Sequence, residues 1–411
     1  MTGVVESSIG EVAGFKVAGV NCGLKKDGKL DFALVVSDRP CVAAGVFTTN
    51  LVKAAPVLVD MDVLASNGEA IRAVAVNTGC ANACTGRKGI QDAHVTASWV
   101  GEALGVRQES VLVMSTGVIG THLPMDKIRQ GVRQASAALG DDWTAAATAI
   151  MTTDTRPKLA SICVTTASGQ TFTVAGISKG AGMIAPNMAT MLGVIVTDAA
   201  LPLASAQAAL RSATEYSFNR IVVDGDMSTN DTVLLLANGA SGVTLDNDDD
   251  LARFEAALRA VCTKLAQDIV RDGEGVTRFI TVNVTGALDD AAAKQIGNTI
   301  ATSPLVKTAF YGGDANWGRI IAAAGRAGVP LDPERTRLWI AAGETSDPGA
   351  FSLCLFDRGI AAEYSEAEAT EIVTQPSVSL LLDCGLGDGQ ATIWTCDLSH
   401  DYVSINGHYR T

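Results

Sequence analysis

Short apolar runs alternate with glycine-rich turns along the first half of this chain. Residues 31–36, 73–76 and 111–114 read as buried strands, each ending in a turn or loop. The second and third run into small-residue loops, AVNTGCANACTGRKG and MSTGVIG. Helical spacing covers residues 90–104 and again 137–151. Residues 160–166 and 171–177 flank the turn ASGQ and predict a hairpin. The segment SKGAGMIAPNMATMLGVIVTDA follows, with Gly180, Gly182 and Pro186 punctuating its front. Its back half, 190–196, predicts a buried strand, so Thr190 stands where an irregular loop enters a strand.

Residues 203–216 and 251–269 predict amphipathic helices. The second sets Leu251, Phe254, Leu258, Val261, Leu265 and Ile269 on one face. A strand is expected over 278–286 and a polar helix over 289–303. The remainder reads as a separate α+β unit, with a hairpin expected around GLGDG and the tail YVSINGHYRT after it. No repeat, heptad or low-complexity linker interrupts the pattern. An α/β (α+β) chain with packed sheets follows, divided near residue 285 into residues 1–285 and 286–411.

Composition narrows the possibilities. With 411 residues, 47% of them hydrophobic, the chain can bury a large core. A net charge of −13 argues against nucleic acid, which needs a basic face. No apolar run reaches the length of a membrane-spanning helix. The N-terminal stretch lacks the basic start and apolar block of a signal peptide, and its glutamates argue against an Arg-rich transit peptide, so a cytoplasmic protein is expected. Nine scattered cysteines without a CxxC pair point to reduced, mostly buried thiols. The four histidines fall in no metal or triad spacing. The usual general base is therefore scarce.

A threonine hydroxyl is a poor nucleophile unless a base takes its proton. If threonine becomes the first residue of a chain, its own α-amine, with a reference pKa of about 7.7–8.0, can serve. Cutting the Ala189–Thr190 bond would produce that state. The Thr190 hydroxyl would attack the preceding carbonyl, and the resulting ester would hydrolyse. Taken alone this is a thin signal, because threonines often open strands after loops.

A longer pattern changes the weight. The segment KGAGMIAPNMATMLG resembles the autocleavage motif of the ornithine acetyltransferase family, also called glutamate N-acetyltransferases. NTGCANACTG at 77–86, STGVIG at 115–120, MTTDTRPK at 151–158 and DGDMSTNDT at 224–232 accompany it in family order. DGEGVTRFI at 272–280, DANWGRI at 314–320 and the terminal NGHYRT complete a resemblance over nearly the whole chain. The family departs from this sequence at Ala185, where histidine is frequent, and at Cys80, where asparagine is common.

The resemblance implies an αββα sandwich related to N-terminal-nucleophile enzymes, with a smaller C-terminal α+β domain. It implies cleavage between Ala189 and Thr190 into an α chain of residues 1–189 and a β chain of 190–411. Thr190 would be the nucleophile. Thr116 and Gly117 would form the oxyanion hole. Thr153, Lys179, Thr190, Glu274, Asn406 and Thr411 would bind substrate, with Thr152 the alternative to Thr153. The Lys179 charge suits a carboxylate. Glu274, set after a helix C-terminus where the dipole disfavours an anion, would be relieved by a substrate amine.

The implied reaction is ping-pong transfer of acetyl from N-acetylornithine to glutamate in arginine biosynthesis, without metal or bound cofactor, by an α2β2 assembly. Bifunctional members also take acetyl from acetyl-CoA, and no residue here decides that point. A hydrolase with the same self-made nucleophile, or a non-catalytic amino-acid-binding protein, are the rival readings. Intact mass of the denatured protein separates them at the first step. Two species divided between Ala189 and Thr190 are expected, and one full-length species from Thr190→Ala. A processed Ala variant would contradict the assignment.

Overall fold

A run of sixteen residues with a proline in it sets the architecture of the N-terminal part. The computed structural model describes residues 4–185 and 191–408. Two compact units emerge. One comprises the chain up to Asn219 together with Asp226–Ile269; the other comprises Arg220–Gly225 and the chain from Val270 onward.

In the first unit, β1 (Phe15–Val20) and β2 (Phe32–Phe47) are followed by α1 (Ala55–Asn67), β3 (Ile71–Cys80), α2 (Gly86–Leu104), β4 (Val111–Val118), α3 (Met125–Ala137) and α4 (Trp143–Ala149). Then come β5 (Lys158–Thr165), β6 (Thr171–Lys179), β7 (Leu192–Thr197), α5 (Leu203–Glu215), β8 (Thr232–Ala237) and α6 (Asp248–Arg271). β2 belongs to two sheets. Its front half pairs with β1 and β3, its back half with β8, and the register breaks between Val36 and Cys41. Pro40 in that break has no N–H to give to a ladder, which favours the corner there. One sheet is therefore ordered β1-β2-β3-β4 and the other β2-β8-β7-β6-β5.

Period-two alternation sorts the side chains. Val74, Val76, Leu112 and Met114 point into the core shared with Ile177, Val194, Val196, Leu234 and Leu236 of the other sheet. Their neighbours Ala73, Ala75, Val111 and Val113 face outward, against Ala97 and Val100 of α2 and Ile128 and Val132 of α3. On the far side α6 packs over β6, with the Phe172 and Phe254 rings 6.3 Å apart. Helices thus cover both outer faces of two packed sheets, the αββα arrangement.

The second unit holds β9 (Phe279–Ala287), α7 (Asp290–Ala301), α8 (Pro304–Gly312), α9 (Trp317–Gly325), β10 (Arg337–Ala342), β11 (Leu353–Asp357), β12 (Ile360–Ala361), α10 (Glu366–Val373), β13 (Ser377–Asp383), β14 (Gly389–Cys396) and α11 (His400–Gly407). Its sheet runs β12-β11-β10-β13-β9-β14.

Three expectations need correction. The division lies within α6, near residue 269, and not near 285, because β9 is paired on both sides inside the second sheet. The segments flanking GLGDG do not form a hairpin. β13 runs parallel to β9 and β14 antiparallel to it, so β9, buried over its first six residues, separates them. The helix expected over 137–151 is the end of α3 and the start of α4, with Asp142 accepting from Ala145 N–H as a new N-cap. Residues 400–407 form α11, capped by the Ser399 side chain. All nine cysteines are free and six of them buried. Among the described residues no helix is long and apolar enough to cross a membrane.

One buried carboxylate ties α1 to the edge strand. Asp60 Oδ1 accepts the Val113 N–H at 2.8 Å, while Oδ2 has no hydrogen-bond partner among the described residues. Burial pushes the Asp60 carboxyl well above the usual range, against the pull of that N–H. A raised folded pKa means that its stability contribution is full below the unfolded pKa, about 4, and is lost as pH rises through the folded value. Asp60→Asn keeps the acceptor without titrating. Denaturant titrations should therefore show the variant gaining on the parent as pH rises from 5 to 8; a pH-independent difference would contradict this.

Candidate active site

Two parallel strands, β3 and β4, each carry a glycine with positive φ one residue before the end, and the two glycines are paired. Gly79 has φ 97° and Gly117 φ 132°. A Cβ on Gly117 would lie 2.3 Å from the Gly79 carbonyl carbon, so a side chain there cannot fit without displacing backbone. The STG sequence therefore folds as a strand end that only glycine closes. Thr116 beside it is buried. Beneath, Ser115 Oγ donates to Asn77 Oδ1 at 2.6 Å, and Asn77 Nδ2 donates to the Cys80 carbonyl at 2.9 Å.

The loop after β3 is equally constrained. Asn82 and Cys84 carry positive φ values of 50° and 58°, uncommon for residues with a side chain. Asn82 Nδ2 donates to the Gly89 carbonyl in the first turn of α2, and Thr85 Oγ1 donates to Asn82 Oδ1. Side-chain bonds hold this conformation, the expected compensation for backbone strain at a functional site.

Lys179 closes β6, buried, in register with Leu192 at the start of β7. Asp154 organises its surroundings. Its Oδ1 accepts Lys158 Nζ at 2.7 Å and Gly180 N–H at 2.7 Å; its Oδ2 accepts Thr152 N–H at 2.9 Å. Burial alone would raise this carboxyl, but the nearby Lys179 and Lys158 charges outweigh it and hold it well below the usual carboxylate range. Thr153, next in the loop, is half-buried. Of the motif after Lys179, Gly180–Ala185 are described, with Met183 at φ 57°.

The next two groups lie just before β8. Asn230 Nδ2 donates to the carbonyls of Ala81, 2.6 Å, and Ser115, 2.8 Å. Asp231 Oδ1 accepts Met191 N–H at 2.9 Å. Burial pushes the Asp231 carboxyl well above its usual range, against the Met191 bond and the Lys179 charge. Thus Thr116, Gly117, Lys179 and the chain following Thr190 are joined through neighbouring residues of one unit. Ala189, Thr190 and Thr411 lie outside the described residues.

In the second unit, Glu274 and Asn406, 132 residues apart, meet. Asn406 Nδ2 donates to Glu274 Oε2 at 2.7 Å. Gly275 lets them, since a Cβ there would lie 2.5 Å from Tyr402 N, at φ 70°. Ser399 Oγ donates to the Gly275 carbonyl at 2.6 Å and Tyr402 Oη to Asp224 Oδ2 at 3.2 Å, fixing α11 on the DGEG turn.

Sequence reasoning missed Asp154, Asn230 and Asp231 as functional supports. Their motifs were visible, but their partners are distant in sequence. Among the described residues no group of three or more His, Cys, Asp or Glu side chains could hold a metal ion.

Two packed sheets with outer helices define an αββα protein, and the glycine-closed end of β4 and the buried Lys179 at the end of β6 both belong to its first unit. The chain belongs to the ArgJ family, whose model matches residues 16–411. It is 49% identical over 405 residues to the arginine biosynthesis bifunctional protein ArgJ of Geobacter sulfurreducens, covering 97% of this chain and 100% of that one. It is 47% identical over 419 residues to the mitochondrial arginine biosynthesis bifunctional protein ArgJ of Neurospora crassa, covering 97% and 88%. A solved ornithine acetyltransferase complexed with ornithine, from Mycobacterium tuberculosis, is 46% identical, covers 43% of this chain and 92% of that one, and superposes with a TM-score of 0.40.

Proposed function

We propose that this chain is a self-processed acetyltransferase of arginine biosynthesis that moves acetyl from N-acetylornithine to glutamate. Membership of the ArgJ family over residues 16–411 supports the activity. The observation that carries the site is the strand end at Thr116–Gly117, where glycine alone fits and a backbone N–H can be left open to a developing oxyanion.

After cleavage at Ala189–Thr190, the α-amine of Thr190 accepts the hydroxyl proton as Oγ attacks the acetyl carbonyl. The Thr116 hydroxyl and Gly117 N–H stabilise the tetrahedral oxyanion. The C–N bond breaks, the proton passes to the departing amine, ornithine leaves, and an acetyl ester remains on Thr190. The amine of glutamate then attacks the ester, Thr190 recovers its proton, and N-acetylglutamate leaves. Lys179 receives a substrate carboxylate, and Thr153 contacts the same substrate. Glu274, held by Asn406, takes a substrate amine, with Thr411 completing these contacts. No metal or bound cofactor enters this scheme.

The relatives' name, bifunctional, supports a second activity in which acetyl-CoA acylates Thr190 and glutamate receives the group. Cytoplasmic residence and an α2β2 assembly of processed chains complete the reading.

Ornithine release from N-acetylornithine should depend on glutamate and yield N-acetylglutamate in equal amount. Equal release without glutamate would instead indicate a hydrolase. Gly117→Ala keeps the N–H but its Cβ would push the backbone that aims it out of place, so kcat should fall by about 10²–10³, the usual effect of losing one oxyanion donor. Acetyl-CoA with glutamate should release free CoA thiol; none above background would limit the protein to the ornithine reaction.

A further inference from the structure

Asn230 and Asp231 are adjacent in sequence, both buried, and each grips the backbone of a different strand. Asn230 reaches the sheet that carries the oxyanion donors. Its bond to the Ser115 carbonyl fixes the peptide whose nitrogen is that of Thr116, and its bond to the Ala81 carbonyl fixes the neighbouring loop. The amide itself is locked. Thr229 Oγ1 donates to Asn230 Oδ1 at 2.7 Å, and Asn230 N–H donates to Ser228 Oγ at 3.1 Å.

Asp231 reaches the other sheet. Its Oδ1 accepts from Met191 N–H, the nitrogen of the peptide whose carbonyl belongs to Thr190. The Met191 carbonyl accepts Thr232 N–H at 3.2 Å, and the Asp231 carbonyl accepts Thr48 N–H at 2.9 Å. Two consecutive residues therefore reach both sheets, one bonded to the donor strand and one to Met191, which leads into β7.

We propose that Asn230 and Asp231 are positioning residues for acetyl transfer, holding the Thr116–Gly117 donors and the start of β7, which follows Thr190 in sequence, in one fixed spacing. This rests on the reading of Thr190 as nucleophile and Thr116–Gly117 as oxyanion hole. Oxyanion donors work only within about 2.7–3.1 Å of the developing charge, and a misplacement of ~1 Å can cost 10²-fold in rate. Asp231 acts as an acceptor for one N–H. Its Oδ2 has no hydrogen-bond partner among the described residues, and burial favours its neutral form. An amide of the same shape can fill that role.

Three variants test this. Asp231→Asn keeps an acceptor oxygen, Asp231→Leu keeps volume without one, and Asn230→Asp keeps shape while removing both donors. The processed fraction by intact mass, the thermal melt, and kcat and KM for N-acetylornithine are measured for each, with kcat expressed per processed molecule. Asp231→Leu and Asn230→Asp should lose about 100-fold in kcat with KM within about twofold. Asp231→Asn should recover kcat to within about fivefold of the parent, a rescue that a need for the negative charge would not allow. Where Asp231→Leu fails to fold, Asn230→Asp and Asp231→Asn still decide. Losses confined to KM, a folded Asn230→Asp enzyme with full kcat, or Asp231→Asn as poor as Asp231→Leu would overturn the proposal. A parent without acetyl transfer would remove the functional reading itself, whereas an active parent with indifferent variants overturns only this inference.

Discussion

One buried anion determines how the first unit can fold around its chemistry. Asp154 is ionised inside the protein because Lys158 and Lys179 stand beside it and because Gly180 and Thr152 give it their N–H groups. An isolated carboxylate there would be costly, and removing one partner of such a cluster typically costs about 3–5 kcal/mol. The requirement is mutual, so none of the partners is free to drift. The start of β5, the end of β6 and the loop with Thr152 and Thr153 are pinned at a single point. β7 starts beside that point, with Leu192 paired to Lys179.

The sandwich gives this pin its leverage. β2 turns its corner near Pro40 and belongs to both sheets, so the ends of β3 and β4 and the starts of β7 and β8 are parts of one continuous hydrogen-bonded body. Alternating apolar residues fill the space between, and a closely packed core resists the shifts that would change those spacings. The polar groups at the strand ends then need only short side chains. Asn77, Ser115, Asn230 and Asp231 all bond backbone or one another directly.

Much of this was legible in the residues. The apolar runs located β3, β4, the β5–β6 hairpin, α2, α5 and α6 to within a few residues, because period two or 3.6 is a local property. The Ser-Thr-Gly run in the last half of β4 marked a strand end, and the long motif match supplied the candidate residues around it. Long-range order was not legible. Asn230 lies 149 residues from Ala81 and 115 from Ser115, and no local spacing encodes such partners. The same holds for β9, whose strand was visible but whose place between β13 and β14 was not. Adjacent strands flanking a glycine turn suggested a hairpin, yet β9 inserts between them and pairs with both. The pairing of Glu274 with Asn406 could be anticipated only from the family resemblance.

On the proposed route acetyl rests on Thr190 between donor and acceptor. The direct measurement is the intact mass of the chain beginning at Thr190 after rapid mixing of processed enzyme with N-acetylornithine, without glutamate. One added acetyl group is expected on that chain, placed on Thr190 by fragmentation and removed when glutamate is supplied. Full-rate transfer with no acetylated chain at any time would mean that acetyl passes straight between bound substrates, and would contradict it.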